Sequence, residues 1–340
     1  MNLEQMGWSA WFADRFDASF EPARVASASR EHFLVWTANS DERQATISGR
    51  FRYQHPDIRP VTGDWVLLRD GSVIEGIVPR RTRISRKEPG RGVDEQVLAA
   101  NVDRLFIVSG LDHDFNPRRL ERYLLLAAES GAEPVILLNK ADLHDDVSPF
   151  VERTRAVAGG CEILAVSARE GWGLAAIPAL LKPGETGALI GSSGAGKSTI
   201  VNALLGEERQ RTTAVREGDQ RGRHTTTHRE LLRMPGDWLL IDMPGLRELQ
   251  LWADPERVDD SFAEIADLAT HCRFRDCRHQ GEPGCAVAAA ELDEDRLRSY
   301  VKLQRELEHL DRQRDLHAAL ELKKRWKSIH KAMRNVDKRK

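Results

Sequence analysis

With 340 residues, 41% of them hydrophobic, and a formal net charge of −2, the chain is long enough for two or three domains with real cores. It carries no overall charge that would steer it to a nucleic acid or a membrane surface. No run of roughly 18 apolar residues exists to span a bilayer, and residues 1–11 lack the basic flank and apolar core of a secretory leader, so a cytoplasmic protein is expected.

Taken in chain order, residues 1–30 are weakly patterned. Leu3, Trp8, Trp11, Phe12 and Phe16 would line the apolar side of a short helix with a packing role. Four short β-type runs follow, at 33–36, 45–51, 64–68 and 72–78, separated by Gly, Pro, Asp and Asn turns. They predict a small antiparallel barrel of the OB type, a form that commonly binds RNA. Its exit is basic (Arg80, Arg81, Arg83, Arg86, Lys87), which fits either phosphate contact or a solvated linker. From residue 97 the pattern becomes alternating apolar runs and helices, the mark of an α/β domain. Strands are expected at 104–108, 134–138, 162–166, 186–190 and 237–241, with an amphipathic helix at 120–129. Beyond 250 the signals are helical, at 258–269 and 292–322. The last eighteen residues, 323–340, hold nine Lys or Arg against one acid, Asp337, and one aromatic, Trp326. That tail suits rRNA phosphates or a solvated helix end. The expected domains are 1–95, 96–250 and 251–340.

The chemistry gathers at strand ends, where ligands of parallel sheets bind. Gly191-Ser192-Ser193-Gly194-Ala195-Gly196-Lys197-Ser198-Thr199 fills every fixed position of the phosphate loop G-x-x-x-x-G-K-[ST], with a strand before it and a helix after it. Its backbone N–H groups would cradle the β-phosphate, Lys197 would reach the β- and γ-phosphates, and Ser198 would ligate Mg²⁺. Asn139-Lys140-Ala141-Asp142 has the N-K-x-D form of a guanine-reading loop. The Asp142 carboxylate can accept from guanine N1–H and N2–H₂ together, whereas adenine would leave it unpaired. Lys140 would lie over the base and Asn139 would tie this loop to the phosphate loop. Ser167-Ala168 would offer the Ala168 N–H to guanine O6. Asp242-Met243-Pro244-Gly245 matches D-x-x-G, with Asp242 toward Mg²⁺ and the Gly245 N–H toward the γ-phosphate. Thr225 or Thr226, in the polar stretch between the phosphate loop and Asp242, would complete the Mg²⁺ shell, as switch threonines do.

The order of these motifs (base loop, Ser-Ala loop, phosphate loop, switches) is rotated relative to Ras-like GTPases. On these residues the chain resembles the circularly permuted GTPases, and among them the bacterial small-subunit-dependent ribosomal GTPases. The resemblance covers nearly the whole chain. It implies an OB-fold barrel, a central GTPase domain and a zinc-binding helical C-terminal domain. It also implies a role in late maturation of the small (30S) ribosomal subunit, with hydrolysis stimulated by that subunit. GTP and GDP, the small subunit and its rRNA are the expected partners, no membrane is expected, and a monomer is expected. Leu246 stands where Ras-like enzymes place a water-orienting glutamine and cannot orient water, so intrinsic turnover is expected to be slow. His224 is the candidate for that task.

Of four cysteines, Cys272, Cys277 and Cys285 crowd together, which in a reducing compartment points to metal rather than disulfides. With His279 they supply three soft thiolates and one imidazole for one structural Zn²⁺. His271 is the rival nitrogen; His279 is preferred because it lies inside the loop and because the resembled family has C-x₄-C-x-H-x₅-C. Cys161 reads as core. Two other functions fit the same residues: a GTP-gated RNA or protein adaptor with incidental hydrolysis, and another translation-linked GTPase.

Overall fold

The computed structural model describes residues 2–38, 42–88, 94–206, 229–243, 252 and 255–337, without the side chains of 255, 256 and 316–337. The chain forms two compact units, 1–86 with 97–250 and 87–96 with 251–340.

In the first unit a four-residue helix, α1 (Ala10–Ala13), precedes the barrel. The aromatic residues before and within it do pack: Trp8 stacks near Phe12 and meets Phe16 and Trp65 edge-on at 5.2 and 4.7 Å. Strands β1 (Glu21–Ala28), β2 (Phe33–Thr37) and β3 (Glu42–Ile47), helix α2 (Gly49–Gln54), and strands β4 (Trp65–Arg69) and β5 (Val73–Ile77) follow. The order β1-β2-β3-β5-β4 closes on itself because β4 also pairs with β1. Inward side chains Ala23, Val25, Phe33, Val35, Val66 and Ile74 fill the barrel.

Three local expectations are corrected. Gly49, Arg50 and Phe51 do not extend a strand: Ser48 caps α2, its Oγ accepting from Phe51 N at 3.0 Å, so the local cap prevails over the apolar pattern. The weakly patterned start contains a full strand, β1. Pro22, Arg24 and three alanines hide its alternation, and Ala23 through Ala26 are all buried because both of its faces are covered. The basic exit is not a linker either. Residues Arg83–Lys87 form β6, which pairs with β7 (Glu95–Ala100). Arg80 makes a two-pronged bond to the buried Asp64, at 2.8 Å on each oxygen, and Arg81 pairs with Asp103.

The α/β part comprises β8 (Arg104–Gly110), α3 (Pro117–Ser130), β9 (Glu133–Asn139), α4 (Ser148–Arg155), β10 (Glu162–Ala165), α5 (Ala176–Ala179), β11 (Thr186–Gly191), α6 (Lys197–Leu205), β12 (Glu230–Arg233) and β13 (Leu239–Asp242). Strands β10-β9-β8-β11-β13 are parallel, and antiparallel β12 flanks β13. Continuous apolar runs suit strands covered on both faces. Phe106, Val108, Val135, Leu137, Leu189 and Ile200 belong to one core cluster. Strand β12 then pairs with β1 at Glu230–Ser27, so the nucleotide sheet and the barrel run on as one eleven-stranded sheet.

The second unit holds α7 (Pro255–Ser261), α8 (Ala263–Ala269), α9 (Ala286–Ala289) and the long α10 (Glu294–Asp337). Val258, Phe262, Ile265, Tyr300 and Leu307 are buried in it, and Tyr300 Oη and Gln304 Nε2 both donate to Asp259 at 2.9 and 3.0 Å. Among the described residues no helix is long and apolar enough to cross a membrane.

Candidate functional site

The carboxyl ends of β8, β9, β10, β11 and β13 lie along one edge of the sheet. Strand β11 is central and wholly buried, and it delivers the phosphate loop between β8 and β13. The loop needs its glycines. Gly191 has φ +151°, and a Cβ there would lie 2.3 Å from the Val108 carbonyl oxygen. Gly196 has φ +97°, and its Cβ would strike Asn139 Nδ2 at 2.2 Å. Both are backbone conformations that side chains rarely adopt. Helix α6 starts at Lys197, so the N–H groups of its first turn face the loop.

Asn139, the last residue of β9, joins three loops. Its Nδ2 donates to Ala195 O in the phosphate loop at 2.9 Å, and its Oδ1 accepts from Ala168 N at 3.0 Å. The expected tie from base loop to phosphate loop is present in these contacts. The Ala168 N–H, expected to donate to guanine O6, donates to Asn139 Oδ1 in the nucleotide-free site. Asp142 and Ser167 also meet, the hydroxyl donating to Oδ1 at 2.5 Å. Ser192 Oγ donates to Asp114; Ser193, Gly194, Ser198 and Thr199 sit on the same loop and first helical turn.

Lys197 is buried and its ammonium donates to Gly191 O at 2.9 Å and Ser192 O at 2.7 Å, so it rests on its own loop. Burial pulls its pKa down to about 8, against the upward pull of Asp242 and Asp114. Asp242 ends β13, fully buried, in register with Leu189 of β11. Lys140 takes a left-handed φ of 64° and reaches Asp112 Oδ2 at 2.6 Å. Burial pushes the Asp112 carboxyl up, but the bonds from Lys140 and the Asp114 N–H hold it below the ordinary range. His224, Thr225, Thr226, Gly245 and Leu246 lie outside the described residues.

In the second unit Cys272, Cys277, His279 and Cys285 present one ligand atom each, all within 4.8 Å of one another. Cys272 and Cys285 sulfurs are 3.9 Å apart, and His279 Nδ1 stands 3.6 and 3.5 Å from them. A tetrahedral ion with sulfur at about 2.3 Å and nitrogen at about 2.0–2.1 Å sets these edges at ~3.8 and ~3.6 Å, so Cys272, Cys285 and His279 fit one. The loop is braced from within: Glu282 accepts from Arg278 N at 3.1 Å and Gln280 N at 2.7 Å, and Cys285 caps α9. His271 is elsewhere, exposed, with Nδ1 3.0 Å from Asp267 O. Cys161 stands apart from the cluster, partly buried, its thiol pushed up to about 11 by burial.

A family model described as RsgA GTPase matches residues 77–252. The chain belongs to the RsgA GTPase family. It is 46% identical, over 98% of its own length and 97% of the relative's, to a protein of Opitutus terrae named small ribosomal subunit biogenesis GTPase RsgA. A relative of that name from Methanosarcina acetivorans is 49% identical over 78% of this chain and 73% of its own. Among solved structures, YjeQ from Thermotoga maritima superposes with a TM-score of 0.60 at 27% identity, covering 84% of this chain and 98% of that one. YloQ, described as a circularly permuted GTPase, shares the fold with a TM-score of 0.58 at 22% identity, covering 85% and 96%. The permuted motif order and the β11-centred sheet are thus those of RsgA-type folds.

Sequence reasoning used four strand ends and passed over the fifth, that of β8. Asp112 and Asp114, directly beyond it, touch Lys140 and Ser192. The signal was available: two acids just past a Gly at the carboxyl end of a parallel strand.

Proposed function

We propose that this protein binds and hydrolyses GTP on the small (30S) ribosomal subunit, assists the late maturation of that subunit, and leaves it when hydrolysis is complete. The observation that carries the nucleotide reading is Asn139, which bonds the phosphate loop with one atom and the Ser-Ala loop with the other. The ribosomal reading rests on the names of relatives similar over nearly the whole chain.

In this reading Gly191 to Thr199 hold the phosphates, and Asn139, Lys140, Asp142, Ser167 and Ala168 hold guanine. Ser198, Asp242 and a switch threonine (Thr225 or Thr226) hold Mg²⁺, which neutralises the charge developing between the β- and γ-phosphates. Lys197 exchanges its loop carbonyls for phosphate oxygens when the nucleotide arrives. His224 orients the attacking water and Gly245 senses the γ-phosphate. Cys272, Cys277, His279 and Cys285 hold one structural Zn²⁺. The barrel segment 1–95 and the basic tail within 251–340 contact rRNA, while 96–250 carries the GTPase chemistry. The protein acts as a cytoplasmic monomer.

Asp142→Asn tests the base assignment. The amide oxygen can still accept from N1–H, but the amide NH₂ then faces guanine N2–H₂ donor to donor, whereas the O2 of xanthine accepts from it, so xanthosine triphosphate should bind better than GTP, by roughly a hundredfold or more on the logic of unpaired buried donors. Retained preference for GTP would remove Asp142 from the base site.

A further inference from the structure

Among the described residues the loop between β8 and α3 holds both halves of the nucleotide site, although it contains none of the recognised motifs. It is fastened to the base loop first: Leu111 N donates to Asn139 O at 2.8 Å, and His144 Nε2 lies 2.5 Å from Leu111 O. Asp112 then uses its two oxygens differently. Oδ2 accepts from Lys140 Nζ at 2.6 Å, and Oδ1 accepts from Asp114 N at 3.1 Å, which fixes the next acid. Asp114 Oδ2 accepts from Ser192 Oγ in the phosphate loop and from Arg119 Nη1 of α3 at 2.6 Å.

Room is made for this arrangement. A Cβ at Gly110 would lie 3.1 Å from Asp112 Oδ1 and 3.4 Å from Lys140 Cδ, so the Lys140 stem passes closely over a residue without a side chain. Both ion pairs are partly buried: Lys140 and Asp112 keep 27% and 18% of their side-chain surface, Arg119 and Asp114 36% and 30%.

We propose that residues 111–116 form a third clamp of the nucleotide site, in which Asp112 positions Lys140 over the base and Asp114 positions the phosphate loop through Ser192. The proposal rests on the nucleotide site assigned above. A lysine stem has four rotatable bonds, and laying it across a purine costs conformational entropy. Holding its ammonium on Asp112 before the base arrives places that cost in the free protein. Asp114 does the same for the first limb of the phosphate loop. Its charge would repel phosphates, and the Arg119 guanidinium beside it offsets that repulsion.

GDP affinity in the presence of Mg²⁺, measured by calorimetric titration of the full chain, is the test, with the thermal midpoint of every variant as the check on folding. Asp112→Ala should weaken GDP about tenfold, the loss expected for one charge-assisted hydrogen bond. Asp112→Asn keeps an acceptor for Lys140 and should recover affinity to within about threefold of wild type. In a Lys140→Met background Asp112→Ala should change affinity by less than about twofold, because the two residues act through one contact. Ser192→Ala and Asp114→Ala should be non-additive in the same way, and Asp114→Asn, which retains the acceptor and loses the charge, should bind at least as tightly as wild type. Wild-type affinity in a folded Asp112→Ala protein, or losses that multiply fully in both cycles, would overturn the clamp alone. Failure of the wild-type chain to bind GDP would overturn the clamp and the guanine assignment together.

Discussion

Arg24 is the residue on which the union of barrel and nucleotide sheet depends most visibly. It is 1% exposed, on barrel strand β1, and its guanidinium donates to four acceptors. These are Gly63 O at 3.4 Å, Met6 O, Asn101 O at 3.2 Å and Thr186 Oγ1 at 2.8 Å, the last at the foot of the strand that carries the phosphate loop. Burial draws its pKa down to about 10, so it is still charged at neutral pH. Arg24→Ala withdraws a donor from all four. Gly63 O keeps its bond from Asn101 Nδ2 at 3.0 Å. The other three lose a charged donor, at roughly 1–3 kcal/mol each when left dry. Relief of the buried cation and entry of water offset part of this, leaving a loss of about 3–5 kcal/mol, the range seen when one partner of a buried charged contact is removed. In urea, at an m-value of roughly 3 kcal/mol/M, the midpoint should fall by about 1–1.7 M. Trp8 packs edge-on against Trp65 of β4, and with the other six tryptophans replaced by Phe their fluorescence would report unfolding of the barrel. A second readout follows from the continuous sheet: GDP, bound at the far end of β11, should raise the barrel transition as well, because a ligand stabilises every part of the cooperative unit that holds it. A midpoint within about 0.2 M of wild type for Arg24→Ala, at that m-value, would refute the reasoning. So would a barrel transition that GDP leaves unmoved.

Three further outcomes are expected. Gly196→Ala drives a Cβ into Asn139 Nδ2 at a φ of +97°, so it should cut GDP affinity by about a hundredfold or more through strain and loss of the loop tie, with the fold intact by circular dichroism. Lys197 has a folded-state pKa of about 8, against 10.5 in the unfolded chain, so between those values the unfolded chain holds a proton that the folded one lacks, and stability of the free protein should rise with pH across that window. Phosphate requires the ammonium form, so GDP binding near pH 8 should take up a proton and weaken as pH rises further, which calorimetry in buffers of different ionisation enthalpy will record. Metal analysis should find one zinc per chain; Cys277→Ser and His279→Ala should lose it and lower the melting temperature of the C-terminal unit, while His271→Ala should leave both unchanged.

The elements most legible in the sequence were those in which local pattern and tertiary role agree. The buried parallel strands read as apolar runs, and the glycines of the phosphate loop stand where the backbone takes conformations only glycine favours. The metal cluster followed from ligand spacing, and the edges among Cys272, Cys285 and His279 fit a tetrahedral ion. Strand β1 was illegible for a physical reason: period-two alternation requires one wet face, and β1 has none at its centre. The basic stretch 80–87 fitted a phosphate contact or a charged linker because a sequence displays cations without their partners. Asp64 and Asp103, which hold Arg80 and Arg81, lie 16 and 22 residues away. Asp112 and Asp114 escaped notice because their roles pass through other side chains.

The most direct test of the account is GTP turnover by the purified protein alone, with small ribosomal subunits, with large subunits and with naked RNA. The account predicts slow turnover that small subunits alone accelerate. Turnover unchanged by small subunits, or raised equally by large subunits or free RNA, would contradict it.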